Sequence, residues 1–190
     1  QPLMLADLTI AGTPRKVVMQ ASKNGYFYVL DRQTGQFISG TAFVDGITWA
    51  LGVDSSTGRP LEPPSGYAGT KAVLVSPAPG AAHNWCRMAF DPTKGLVYLG
   101  ARGRSLALHA PDPKWESDIS TWNLGNDPRY EGALGAELGK SGGPRGELLA
   151  WNPVERRAAW RVSLPVSQSG GVLATAGNLV FQGRADGMFT

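Results

Sequence analysis

The sequence has very little cysteine and no long apolar segment. Its single cysteine, Cys86, excludes an internal disulfide, a Cys-x-x-Cys redox pair, a cysteine-rich zinc site and a CxxCH haem attachment within these 190 residues. No run of eighteen apolar residues is present, and the start "QPLMLADLTI" has neither an initiator Met nor a signal-peptide pattern. We therefore expect a segment from the interior of a chain that does not cross a membrane.

Concentrated charge is also missing. The 18 basic and 15 acidic residues give a net charge of only +3. The basic residues are scattered, and their most compact group, Arg156, Arg157 and Arg161, is interrupted by Ala and Trp. Because a nucleic-acid interface needs a contiguous basic patch, we expect no nucleic-acid partner.

Glycine and proline, in contrast, are plentiful. The 25 Gly and 14 Pro residues lie between short apolar runs, and they are not collected in one linker. This distribution is typical of an all-β protein with many turns.

A hairpin pattern recurs along the chain. "VVMQASKNGYF" (Val17 to Phe27) aligns without a gap on "LVFQGRADGMF" (Leu179 to Phe189), and "LVYLGARGRSL" (Leu96 to Leu106) is a looser copy. Each copy reads as an apolar strand, a polar turn and a return strand, and Asn24-Gly25 suits a type I′ turn. Hairpins that recur at long period indicate a radial or solenoid architecture, most commonly a β-propeller.

A second repeat places a turn residue after two apolar residues. Asp31, Asp91 and Asn152 occupy the third position in "VLDRQTGQFIS", "AFDPTKGLVYL" and "AWNPVERRAAW". Such side chains accept hydrogen bonds from backbone amides two residues on, and Gly35 and Gly95 can take a left-handed conformation in the same turns. Together the two repeats predict successive antiparallel hairpins.

Long polar inserts separate these units, at residues 58–69 and 117–144. Loops of this length on a regular scaffold usually shape a site or cap a face. The chain stops within the hairpin "RADGMFT", which would leave an unpaired sheet edge. We therefore expect residues 1–190 to form a single incomplete propeller segment of a larger closed protein, without a second domain.

Four ordered motifs carry a family resemblance: "SKNGYFYVLDRQTG", "GAAHNWCRMAFDPTKGLVYL", "GELLAWNPVERRAAW" and "GGVLATAGNLVFQGRADG". They resemble the pyrroloquinoline-quinone (PQQ)-dependent alcohol dehydrogenases, most closely the quinohaemoprotein type. The resemblance implies an eight-bladed propeller that holds the quinone near its axis with a calcium ion beside it. This chain would supply a little over two blades, with long loop insertions, from the internal to C-terminal part of that propeller.

The resemblance gives Lys23 a specific role. The corresponding basic residue of the family donates hydrogen bonds to the ortho-quinone oxygens of PQQ, where negative charge develops as hydride arrives. From the sequence alone, a Lys beside Asn-Gly reads as a solvated turn residue. Ala185 occupies the equivalent position in the repeat, so the hairpin itself does not require a lysine there.

Three further residues are implied as cofactor contacts. Asn84 and Trp85 match the family's Asn-Trp pair, which offers amide and indole hydrogen bonds and an apolar wall. The alternative is a core Trp with Asn in a turn. Val172 matches a stretch near the cofactor, but it reads equally well as part of a core strand. We assign His83 a supporting structural role.

Two departures from the family pattern lie close to these motifs. The family usually has His-Pro where this chain has Cys86-Arg87, and Pro-Trp-Asn where it has Ser167-Gln168-Ser169. The first places a small soft residue and a charge near the expected site, and the second removes a large aromatic side chain. Both bear on the substrate range and on activity.

The resemblance implies that the parent protein oxidises alcohols to aldehydes by hydride transfer to the quinone and passes electrons to a cytochrome-type acceptor. The family's Asp base and calcium ligands would lie upstream of Gln1, and a haem c domain would lie beyond Thr190, so the segment alone would be inactive. Family members are periplasmic, and the remaining blades would be partners. The alternative is a non-catalytic propeller used for binding or assembly, which the repeats alone also fit.

Overall fold

The computed structural model describes residues 1–64, 72–78, 80, 82–121, 123–127, 145–167 and 169–190, without the side chains of Arg145 and Ser169. Most of the two predicted inserts therefore lies outside the described residues. Within those ranges the chain forms fourteen strands and no helix. The strands are β1 Met4–Ile10, β2 Thr13–Ala21, β3 Tyr26–Asp31, β4 Phe37–Ala42, β5 Gly52–Val53, β6 Pro60–Leu61, β7 Val73–Val75, β8 Ala89–Asp91, β9 Leu96–Gly103, β10 Ala107–His109, β11 Arg145–Asn152, β12 Arg157–Leu164, β13 Ser169–Ala174 and β14 Val180–Arg184.

The strands form three successive antiparallel sheets. The first sheet has the order β1-β2-β3-β4, and the second has the order β12-β11-β9-β8. The third sheet is the pair β13-β14, while β5-β6 and β10-β7 form two small additional pairs. Two four-stranded sheets and the first two strands of another match the predicted content of a little over two blades.

The sheets pack face to face. On β2, Val17 and Met19 are fully buried, and they join a core that includes Val97 and Leu99 of the second sheet. Apolar residues at alternate positions of a strand share one face, so this alternation commits one face of each sheet to the contact. The second and third sheets meet through a smaller cluster that contains Val172. The core thus lies between sheets, as expected for stacked blades.

The Asp and Asn turns are confirmed. The Asp31 carboxylate accepts hydrogen bonds from the N–H groups two and three residues on, at 2.9 and 3.0 Å. Asp91 and Asn152 do the same in their hairpins. Asp54 makes a fourth turn of this kind between β5 and β6, which the sequence analysis did not identify. Bonds from Ser56 and Thr57 lower the pKa of the Asp54 carboxyl to about 2.

The β2–β3 hairpin forms as predicted, but its turn type was wrong. The N–H of Gly25 donates to the Ser22 carbonyl (3.1 Å), and the Ser22 N–H donates to the Tyr26 carbonyl (3.0 Å). Lys23 and Asn24 are therefore the central residues, and Gly25 follows them with φ of 95°. This is a three-residue loop with a glycine bulge rather than a type I′ turn. Asn24 does not take a positive φ, and its side-chain oxygen accepts the Tyr26 N–H at 3.0 Å.

The alignment of Val17–Phe27 on Leu179–Phe189 is confirmed at the level of hydrogen bonds. After β14 the Gly187 N–H donates to the Arg184 carbonyl (3.1 Å), and the Arg184 N–H donates to the Met188 carbonyl (2.8 Å). These are the same two bonds that close the β2–β3 turn.

The looser copy, Leu96–Leu106, was wrong as a hairpin. Its first part is strand β9, but β9 pairs with β8 and β11. The residues expected to return along β9 instead continue into β10, which pairs with β7. Residues 104–144 thus connect β9 to β11, at the place where the first sheet has only its short β2–β3 turn.

Candidate functional site

The predicted site residues lie at one end of the three sheets, which we call the site end. It contains the β2–β3 turn, the segment before β8, the end of β9 and the start of β13. Ala82, before β8, exchanges two backbone hydrogen bonds with Arg102 at the end of β9. The N–H of Val172 in β13 donates to the Arg87 carbonyl at 2.9 Å. The first two bonds hold the segment before β8 against β9, and the third joins this segment of the second sheet to the third sheet.

The turn that carries Lys23 is braced from two sides. The Trp49 indole N–H donates to the Asn24 carbonyl at 2.8 Å. The Asn24 side-chain amide donates to the Tyr28 hydroxyl at 3.0 Å. Trp49 lies in the segment after β4, so a residue distant in sequence holds the turn in place. The backbone beneath Lys23 is therefore fixed although its side chain is exposed.

Lys23 lines a cavity of about 370 Å³ with largely apolar walls. Trp49, Val75, Leu108 and His109 contribute to those walls, and Leu108 and His109 come from the connection between β9 and β11. No carboxylate among the described residues forms a salt bridge with the Lys23 ammonium. A cation carried on a fixed turn beside an apolar cavity suits an anionic or electron-rich group of a ligand.

Asn84 and Trp85 come together, but in a second cavity of about 170 Å³. Trp85 is 77% exposed, so it is not the core tryptophan of the alternative interpretation. Ala78 lines the Lys23 cavity and Gly80 lines the Asn84 cavity, so the two cavities flank one short segment. The structure therefore brings Lys23 and Asn84 to the same end of the sheets but into adjoining cavities.

His83 supports the loop that carries Asn84. Its side chain is buried, and its Nδ1 lies 2.8 Å from the Gly100 carbonyl. Because a carbonyl only accepts, Nδ1 carries the proton. Burial lowers the pKa of His83, and bonds to the Gly100 and Cys86 backbones partly offset this. A neutral, buried imidazole that ties the loop to β9 fits the structural role expected for it.

Val172 and the residues that depart from the family pattern lie in different surroundings. The Val172 side chain is buried with Tyr98 and Ala150 between the second and third sheets. Its backbone N–H bonds the loop after Trp85, and the core-strand interpretation describes its side chain. Cys86 and Ser167 line the cavity of Asn84. Gln168 lies outside the described residues.

Arg102 was missed by the sequence analysis. It lines the Asn84 cavity, and it is half-buried. Burial lowers the pKa of its guanidinium. The signal was present in the repeat, since the alignment of Leu96–Leu106 on Val17–Phe27 places Arg102 on Lys23. The strand register supports this alignment. In the first sheet Asp31 pairs with Val17. In the second sheet its counterpart Asn152 follows Trp151, which pairs with Val97, so Asn152 lies level with Leu96, the residue aligned with Val17.

The described residues show neither a metal-ligand cluster nor a membrane-spanning helix. They contain no group of three or more His, Cys, Asp or Glu side chains placed to hold a metal ion. No helix within the described ranges is long and apolar enough to span a membrane.

Comparison with known proteins identifies relatives of this chain. Residues 1–42 match the PQQ family described as the glucose/ethanol/alcohol dehydrogenase beta-propeller domain. The chain is 45% identical to the quinohemoprotein alcohol dehydrogenase of Comamonas testosteroni over 98% of its own length and 26% of the relative. It is 40% identical to the 1-butanol dehydrogenase (cytochrome c) of Thauera butanivorans over 98% of its length and 27% of that protein.

Solved structures agree. The crystal structure of the quinohemoprotein alcohol dehydrogenase from Comamonas testosteroni superposes with a TM-score of 0.82 at 40% identity, over 96% of this chain and 27% of that one. The chain thus spans about a quarter of the length of these relatives. It is homologous over nearly its whole length to quinohaemoprotein alcohol dehydrogenases, which confirms the resemblance and the all-β, partial-propeller fold.

Proposed function

We propose that the protein containing this chain is a PQQ- and calcium-dependent alcohol dehydrogenase that oxidises alcohols to aldehydes. The observation that carries the proposal is the 45% identity to a quinohaemoprotein alcohol dehydrogenase over 98% of the chain. The site end supports it, because Lys23, Asn84 and Trp85 all lie there, around two adjoining cavities. PQQ, when bound, supplies an acceptor for the hydride of the alcohol carbon.

In this proposal Lys23 donates hydrogen bonds to the quinone oxygens. Its ammonium has no carboxylate partner among the described residues, and the turn beneath it is held by the Trp49–Asn24 hydrogen bond. A cation that is positioned before the reaction stabilises negative charge as it develops on oxygen, without reorganisation. Residue 185 at the equivalent turn is Ala, so the fold does not account for a lysine at this position.

Asn84, Trp85 and Val172 complete the proposed contacts. No described group forms a hydrogen bond with the Asn84 amide, which leaves its donors and acceptor available to a ligand. The exposed Trp85 indole can cover a planar ring and offer its N–H. Val172 contributes through the position of its strand against the loop after Trp85, since its side chain packs in the core.

We propose that the remaining catalytic groups come from other parts of the whole protein, which correspond to the regions of the longer relatives that this chain does not span. A general base is needed to take the hydroxyl proton, and calcium needs carboxylate and amide oxygens. We further propose a cytochrome-type electron acceptor, haem c in the whole protein, and a periplasmic location. The cytochrome acceptor is supported by the name of the relative from Thauera butanivorans, a cytochrome c-linked 1-butanol dehydrogenase.

One observation favours a second candidate, a non-catalytic propeller for binding or assembly. Cys86 and Ser167 line the Asn84 cavity, where the family usually carries other residues. These substitutions change the surroundings of the proposed site without disturbing the stacked sheets.

The deciding experiment adds PQQ and calcium to the whole protein that contains this chain, and it follows alcohol-dependent dye reduction and PQQ affinity. We expect Lys23→Ala to lower kcat by about 10²- to 10³-fold, the loss typical of removing one preorganised donor. Lys94→Ala is the matched control, because Lys94 is also an exposed turn lysine but lies at the opposite end of its sheet. Unchanged activity in Lys23→Ala would remove the role of Lys23, and absent PQQ binding in the unsubstituted protein would favour the binding module.

A further inference from the structure

Asn24 and Gly25, beside Lys23, form the only Asn-Gly pair in the sequence. Asparagine followed by glycine is the pair most prone to spontaneous deamidation, because glycine has no side chain to hinder the approach of its backbone nitrogen. The Gly25 nitrogen attacks the carbonyl carbon of the Asn24 side chain, and the side-chain amide takes up the displaced proton and leaves as ammonia. Water then opens the resulting cyclic imide, which leaves aspartate or isoaspartate at position 24.

The folded turn engages the groups that take part in this reaction. The Gly25 N–H donates to the Ser22 carbonyl at 3.1 Å. The Asn24 side-chain oxygen accepts the Tyr26 N–H at 3.0 Å, and the Asn24 amide nitrogen donates to the Tyr28 hydroxyl at 3.0 Å. The attacking nitrogen must give up its proton and the side-chain amide must rotate toward it, so the reaction breaks these bonds. The folded turn therefore slows a reaction that the Asn-Gly pair favours in an unfolded chain.

The Tyr28 hydroxyl supplies the one restraint of the three that comes from another side chain. It bonds the amide nitrogen that leaves as ammonia, whereas the other two bonds use backbone N–H groups. The Tyr28 ring lies 6.3 Å from the Tyr26 ring and is half-buried. Tyr28→Phe therefore removes this hydrogen bond while it keeps the ring and the backbone of the turn.

We infer that Asn24 is a deamidation site restrained by the folded Lys23 turn, and that its modification disables Lys23. Aspartate adds a negative charge directly beside the Lys23 ammonium. Isoaspartate routes the main chain through the former side chain and lengthens it by one carbon, which displaces the Asn24 carbonyl that accepts the Trp49 indole N–H. Either product disturbs a cation that must be positioned before the reaction. The effect on activity rests on the proposed alcohol oxidation, whereas the modification itself does not.

The first test follows Asn24 by peptide mass spectrometry in the whole protein that contains this chain, incubated in mildly alkaline buffer with and without urea. We expect Asn24 to deamidate about 10- to 100-fold more slowly in the folded protein, because each hydrogen bond contributes about 2- to 10-fold. Tyr28→Phe should raise the rate in the folded protein by about 2- to 10-fold and leave the rate in urea unchanged. Tyr98→Phe is the matched control, since Tyr98 packs against Trp160 in the second sheet.

Two results would overturn the restraint. The first is an equal rate in the folded protein and in urea, a comparison that needs no variant. The second is a rate in folded Tyr28→Phe that equals or falls below that of the unsubstituted protein, with urea unfolding used to show that the variant is folded.

The second test measures alcohol-dependent dye reduction in the protein loaded with PQQ and calcium. Activity should fall in proportion to the fraction of Asn24 that has been modified. Asn24→Asp should lower kcat by about 2- to 5-fold, the effect of a neighbouring charge at an exposed site. Asn178→Asp is its control, because Asn178 is an exposed turn residue between β13 and β14 and should leave kcat unchanged. Full activity in Asn24→Asp and in protein with modified Asn24 would overturn the link to Lys23.

The mass measurement needs no PQQ, so it separates this inference from the proposed function. Deamidation that is slow in the folded turn and faster in Tyr28→Phe, in a protein that oxidises no alcohol with PQQ, would keep the modification site and discard the dehydrogenase. PQQ-dependent oxidation in a protein whose Asn24 deamidates equally fast folded and unfolded would do the reverse.

Discussion

Substitution of Gly25 tests both the backbone conformation of the Lys23 turn and the packing of that turn against the segment after β4. Gly25 has φ of 95°, and a Cβ added there would lie 2.7 Å from the Ile47 side chain and 3.1 Å from that of Val44. Gly35 in the β3–β4 turn also has a positive φ, 76°, but a Cβ there would meet nothing within 4 Å. The two glycines share the backbone requirement and differ in the space around them.

The expected magnitudes follow from that difference. Gly35→Ala should cost about 1–2 kcal/mol, the penalty of a left-handed conformation for a residue with a Cβ. Gly25→Ala should cost that amount plus about 1–3 kcal/mol for the clash with the two side chains. Both variants gain the same small benefit from a less flexible unfolded chain, so it cancels in the comparison.

Urea unfolding followed by tryptophan fluorescence measures both variants. The midpoint should fall further for Gly25→Ala than for Gly35→Ala, at similar slope. A Gly25→Ala protein as stable as Gly35→Ala would refute the assigned turn and its contact with the segment after β4. Because Gly25 adjoins the Lys23 turn, Gly25→Ala should also weaken PQQ binding in the proposed enzyme, whereas Gly35→Ala should not.

Two further outcomes are expected. Trp151 is 2% exposed and lies 5.7 Å from the Phe27 ring, so Trp151→Ala should destabilise the protein by about 3–5 kcal/mol in urea unfolding. Trp160→Ala, at a residue 38% exposed, should cost clearly less, and equal losses would contradict the assigned packing. The buried His83 has a pKa below its ordinary 6.5, so the unfolded chain binds a proton more readily than the folded one. The contribution of His83 to folding stability should be complete above about pH 6.5 and lost as pH falls through the folded pKa. The loss of stability between about pH 7 and 5 should therefore be smaller in His83→Gln than in the unsubstituted protein. Equal losses in both proteins would argue against a buried neutral imidazole.

Local hydrogen-bonding chemistry explains how much of the fold the sequence predicted. The turns at Asp31, Asp91 and Asn152 depend on hydrogen bonds within three residues, so the residue types at these positions are enough to predict them. The Lys23 hairpin was found for the same reason. Its turn type was missed because Asn24 uses its side-chain oxygen to hold the Tyr26 N–H, a choice that the pair Asn-Gly does not reveal.

Long-range pairing explains what was missed. The pairing of β10 with β7 joins residues far apart in the chain, and no periodicity near Leu106 predicts it. Lys23, Asn84 and Trp85 were found through motifs, but the sequence does not show that Lys23 lines one cavity and the other two residues line another. Arg102 was overlooked because it was counted as part of a strand, although the repeat already placed it on Lys23.

The connection between β9 and β11 bears on how such proteins diversify. Gly103 and Arg145, which flank residues 104–144, pair directly with each other across the sheet. The ends of the insert are therefore held together by the sheet itself, and each doubling of the length of a connection adds only about 0.6 kcal/mol of closure entropy. This position can accept inserts of different length or origin while the blade stays intact. In the proposed enzyme, exchange of residues 104–144 between relatives should change the substrate preference, because Leu108 and His109 line the same cavity as Lys23.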